Sequence, residues 1–79
     1  MNKENFPTDS FILASYLLSE SIPLIGMNTT NPRRVIFLFE ESSRRKTLTE
    51  KFLSHKALVE PHRYFSAQKD IKQMIYQNN

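Results

Sequence analysis

The sequence predicts a small single α+β domain, α-β-β-α-(β)-α, with a short antiparallel sheet packed by helices. Three observations carry that reading. Phe11 to Leu18 is a wide apolar arc broken only by Ser15, the pattern of a helix packed on more than one side. Val35 to Phe39 is a run of five bulky or β-branched apolar residues, which suits a buried strand. Tyr64, Ala67, Ile71, Met74 and Ile75 recur three or four apart, an amphipathic helical stripe. At 79 residues the chain holds one core, and a second would be too small to support itself.

Taken in order, residues 1–7 read as a flexible leader ended by Pro7, and residues 8–79 as the domain. Thr8 is placed to cap a first helix over about 9–20, with Asp9 favourable at the positive end of its dipole. Ser21 leaves the helix. Ile22 to Met27 follows as a strand, at an edge or beginning just after Pro23, which has no N–H for a ladder. Asn28 to Pro32 supplies turn chemistry. Residues 33–40 form the second strand of a hairpin, buried on both faces. Ser42 or Ser43 caps a helix over 44–55 whose inner face is Leu48, Phe52 and Leu53. Ala57 to Val59 reads as a brief third strand. Pro61 then occupies the first position of the last helix, where its missing N–H costs nothing.

Composition narrows function. The absence of Cys excludes a disulfide framework, a thiolate metal site and a cysteine nucleophile, and fits the cytoplasm. The N-terminus lacks a basic region followed by an apolar one, so no signal peptide is read, and no apolar stretch approaches the ~20 residues of a bilayer helix. No membrane or small-molecule substrate is expected. With Gly26 the only glycine, neither a phosphate-cradling loop nor a nucleophile elbow can be drawn. His55 and His62 have no metal-ligand spacing, and Glu40 and Glu41, adjacent on a strand end, point apart. No catalytic residue, metal or cofactor is expected.

Charge is uneven. Residues 1–32 carry one lysine against three acids, whereas residues 33–79 carry ten basic residues against five acids, within a total of +3. Two clusters, Arg33-Arg34 and Arg44-Arg45-Lys46, flank the second strand, which over eight residues would hold them about 26 Å apart. Arg suits phosphate because its planar fork donates two parallel hydrogen bonds. Lys69 and Lys72 share a face of the last helix largely opposite the apolar stripe. Tyr64, Phe65 and Tyr76 are candidates for base stacking, but Tyr64 fits the core stripe better, Phe65 is open to either reading, and the Phe residues are mostly needed as core. A cationic start to the second helix opposes its dipole, which favours a use for Arg44, Arg45 and Lys46. Against these readings stands ordinary solvated surface.

Several segments together resemble a known family: Thr8-Asp9, Leu13-Ala14, Leu17-Leu18, Leu24-Ile25-Gly26, the Phe-rich run Val35 to Glu40, Ala57-Leu58-Val59, Pro61, Arg63-Tyr64-Phe65 and Lys72. The chain is similar to small bacterial and phage-associated proteins classed as domain of unknown function 5659. It departs from that pattern at Ser21, where a glycine is expected at the helix exit. The resemblance implies a shared fold and mobile-element or phage surroundings, and it supplies no catalytic residue.

The expectation is therefore a small non-catalytic binding module, a nucleic-acid-associated accessory or regulatory protein. Arg33, Arg34, Arg44, Arg45, Lys46, Lys69 and Lys72 would contact DNA or RNA phosphates. The alternative is a protein-interaction adaptor or homodimeric subunit, pairing through a sheet edge or the leftover apolar surface of the first helix.

Overall fold

A computed structural model describes residues 5–31 and 33–77; residues 1–4 of the expected leader and Pro32 of the expected turn lie outside the described residues. The elements are β1 (Asn5–Thr8), α1 (Phe11–Ser19), β2 (Leu24–Asn28), β3 (Ile36–Glu40), α2 (Ser43–Leu53) and α3 (Pro61–Gln77). The strands form one antiparallel sheet in the order β1-β3-β2. The chain is a mixed α+β domain, with principal extents of 36 × 33 × 18 Å that match two stacked layers.

Side chains alternate along β3. Phe37 and Phe39 are buried, while Ile36, Leu38 and Glu40 on the other face are only half-buried. Phe37 and Phe39 meet Leu13, Ala14, Tyr16 and Leu17 of α1, Leu48 of α2 and Ile71 of α3 in one core cluster. The central strand is thus deeply buried on one face rather than both. Removing a side chain such as Phe39 or Leu17 from water contributes about 1.5–3 kcal/mol each, a large share for so short a chain.

Four further expectations are corrected. Residues 5–7 belong to β1 instead of a leader: Phe6 pairs with Phe39 and Pro7 with Leu38, and Pro7 is tolerated because β1 is an edge. The α1 cap is Ser10, whose hydroxyl accepts from the Leu13 N–H at 3.0 Å, while Thr8 accepts from the Ser10 N–H at 3.1 Å. Ala57 to Val59 forms no strand. Leu53 is exposed, so the inner face of α2 consists of Leu48 and Phe52, the latter stacked on Tyr16 with ring centroids 6.2 Å apart.

Helix exits follow one pattern. In α1 the Ser21 N–H donates to Leu18 O and the Ile22 N–H to Leu17 O; in α2 the His55 N–H donates to Phe52 O and the Lys56 N–H to Lys51 O. These paired bonds are Schellman motifs, which place the residue after the cap in the left-handed region. Ser21 (φ 66°) and His55 (φ 63°) occupy it, so the exit where a glycine was expected keeps the glycine geometry with a serine. α3 begins on Glu60, whose carboxylate accepts from the His62 and Arg63 N–H groups at 2.9 and 3.2 Å, with Pro61 at its first position as expected.

Candidate nucleic-acid interface

The arginine clusters lie off the two ends of β3, and most of their guanidinium groups are turned onto the chain itself. Arg34 Nε donates to Asp9 Oδ2 at 2.8 Å, tying the loop before β3 to the start of α1. Arg44 donates to the Glu20 carbonyl and lies 3.5 Å from its carboxylate. Arg63 of α3 joins it there, donating to the Ser19 carbonyl at 2.9 Å. Two cations therefore sit on the last carbonyls of α1, at the negative end of its dipole. The cationic first turn of α2, unfavourable for α2 alone, is in part a cap for α1.

Arg45 leaves the surface altogether. It is 7% exposed, donates to both carboxylate oxygens of Glu41 at 2.8 and 2.7 Å and to Thr49 Oγ1 at 3.1 Å, and its guanidinium carbon lies 3.9 Å from the Phe6 ring centroid. The hydrogen bonds from Arg45 hold the Glu41 carboxyl below the usual glutamate range. The expected role of Arg45 in phosphate contact is thus corrected: its fork is already filled, and it ties β1 to the β3–α2 corner. Arg33 and Lys46 remain exposed, with no ion pair among the described residues. The five-residue β3 spans about 16 Å at 3.3 Å per residue, less than the separation expected from a longer strand.

α3 carries the other part of the set. Ala67 and Ile71 are buried, and Tyr64, Met74 and Ile75 pack against the core, so the apolar stripe is as the spacing predicts. Away from that stripe, Phe65, Lys69, Lys72 and Tyr76 are spaced by 4, 3 and 4 residues and fall within an arc of about 60° at 3.6 residues per turn. All four are exposed, Phe65 at 60% and Tyr76 at 77%. Lys69 Nζ lies 5.6 Å from the Phe65 ring centroid, and Lys72 Nζ lies 5.7 Å from that of Phe11 at the start of α1. Neither lysine forms an ion pair among the described residues. An open depression of about 480 Å³ is lined by Lys69, Lys72, Gln73 and Tyr76. The two rings, candidates for stacking from the sequence, fall on the same arc of α3 as the lysines, joining two groups that the sequence reading treats separately.

Other concavities are also shallow. One of about 360 Å³ runs between the end of α1 and the first half of α3, beside Ser19, Ser21, His62, Arg63, Ser66 and Asp70. His62 is exposed and lies 3.4 Å from Glu60, and bonds from the His62 and Arg63 backbone lower the Glu60 carboxyl below its usual range. Among the described residues no group of three or more His, Cys, Asp or Glu side chains could hold a metal ion. No helix there is long and apolar enough to cross a membrane.

The sequence profile of one family, Domain of unknown function (DUF5659), matches residues 3–77. No curated protein and no solved structure matches the chain. With nearly the whole length covered, the chain belongs to that family.

Proposed function

We propose that this DUF5659 member is a small non-catalytic binding module that associates with nucleic acid, contacting phosphates through Lys69 and Lys72 with Arg33 and Lys46 as outlying contacts. The observation that carries the reading is the α3 face: two lysines one turn apart, exposed and not neutralised by a carboxylate among the described residues. Cations so placed release counterions when they meet phosphate, which makes binding favourable and salt-dependent. Arg34 and Arg44, held by Asp9 and Glu20, are secondary contacts. The module acts in the cytoplasm as an accessory or regulatory protein of a mobile element.

A mobility-shift titration across a salt series tests the reading. Lys69→Gln/Lys72→Gln should weaken binding and flatten the log–log salt slope by about 1.4 on a single strand or 1.8 on a duplex, two contacts at about 0.7 or 0.9 each. Unchanged affinity and slope would show that α3 is not the contact surface.

A second reading, docking of a protein partner, is favoured by the end of α2 and the connector to α3, where Leu53 is 68% and Leu58 86% exposed. On α1, Leu13 to Leu17 are buried inside the domain, and the apolar surface left for that reading is Ile12, 56% exposed.

A further inference from the structure

We infer that the nucleic acid this module takes is single-stranded, with bases stacking on Phe65 and Tyr76 while Lys69 and Lys72 hold the intervening phosphates. The inference rests on the nucleic-acid reading above and specifies the ligand of the same surface. Duplex recognition needs cations spread along a backbone track, with polar side chains reaching base edges in a groove. The α3 face offers instead two rings with two ammonium groups between them. Phe65 and Tyr76 are eleven residues apart, about 16 Å along the axis at 1.5 Å per residue. A base pair presents only its edges, with both faces already stacked, so exposed rings gain little against a duplex; an unpaired base offers a free face to each ring.

Burial sharpens the assignment. Nine aromatic residues are present, and Phe37, Phe39 and Tyr16 are buried while Phe6, Phe11, Phe52 and Tyr64 pack against the core. Phe65 and Tyr76 are the aromatic residues that the fold leaves exposed among those described. Both stand on one helix face beside cations, which makes the surface complementary to an alternation of planar bases and anionic phosphates. The open depression against Tyr76, lined also by Lys69, Lys72 and Gln73, gives a base room beside that ring. An acidic protein would be met by the lysines alone, with no call for two separated rings.

The test measures binding of the whole chain to labelled oligo(dT), oligo(U) and a mixed-sequence duplex, with polyglutamate as a competitor. The variants are Phe65→Ala, Tyr76→Ala, Tyr76→Phe and Lys69→Gln/Lys72→Gln, with circular dichroism as the check on folding. Expected is tighter binding to the single strands than to the duplex. Each alanine variant should lose about 10-fold on the single strands and change little on the duplex, while Tyr76→Phe keeps the affinity. Comparison of oligo(dT) with oligo(U) separates DNA from RNA. Equal or better duplex binding, or alanine variants that bind single strands normally while the lysine variant does not, would overturn the single-strand inference and leave the phosphate reading standing. Binding to neither nucleic acid, or displacement by polyglutamate as effective as by unlabelled oligo(dT), would overturn both.

Discussion

Arg45 shows how one residue type serves two purposes within three positions of the chain. Its neighbours Arg44 and Lys46 are exposed, but Arg45 projects inward to Glu41, Thr49 and the Phe6 ring. Adjacent positions on a helix stand about 100° apart, so a run of three cations cannot present a single face. That is why the Arg44-Arg45-Lys46 cluster was legible as charge but not as a site: sequence shows the charges, and only the packing of β1 shows where Glu41 and Phe6 intercept one of them. Arg45→Lys keeps the charge, yet it should lower the melting temperature because an ammonium cannot make the two-pronged bond or lie flat on the ring. Arg45→Met should do so as well, by leaving Glu41 without its partner. The pH dependence has a definite sign. Glu41, like Glu60, has its folded pKa lowered, so its contribution is present above the usual glutamate value of about 4.3 and is lost as pH falls through the folded value. The Arg45→Met deficit should therefore be full at neutral pH and shrink in acid, as thermal melts over a pH series would show. A deficit independent of pH would mean that packing on Phe6, rather than the ion pair, carries the effect.

Elements with a local signal, whether a periodic stripe, a wide apolar arc or an apolar run, were legible, and β1, which has none, was not. The α3 stripe follows directly from its spacing, and β3 from a five-residue apolar run. β1 has a single apolar residue, Phe6, beside a proline, so no local signal marks it; it exists because β3 offers a free edge and the core takes the Phe6 ring. Conversely, Ala57 to Val59 has strand-like composition but pairs with none of the strands of the sheet β1-β3-β2 and serves as the connector between α2 and α3. The helix exits carry a prediction of their own. Ser21 and His55 hold left-handed backbone, which costs a residue with a Cβ about 1 kcal/mol relative to glycine. Ser21→Gly and His55→Gly should each recover up to about that amount in urea denaturation, and the double variant should sum the two because the helix ends share no partner. Destabilisation by either would show that the side chain has a native role outweighing the strain.

At the scale of the molecule, the fold sorts charge by use. Asp9, Glu20 and Glu41 engage Arg34, Arg44 and Arg45, so three of the five clustered cations are balanced inside the domain. The exposed cations outside any ion pair among the described residues include Arg33, Lys46, Lys51, Lys56 and, on the outer face of α3 beside Phe11, Lys69 and Lys72. The family profile matches residues 3–77, and the functional reading rests on the exposed surface of that stretch. The most direct test follows the amide resonances of the uniformly labelled protein during titration with oligo(dT) at low salt. Shifts concentrated on α3 at Phe65, Lys69, Lys72, Gln73 and Tyr76, and at Phe11 beside them, are the predicted result. Shifts confined to Arg33-Arg34 or to Leu53 and Leu58, or none at saturating oligonucleotide, would contradict the claim that α3 presents the binding surface.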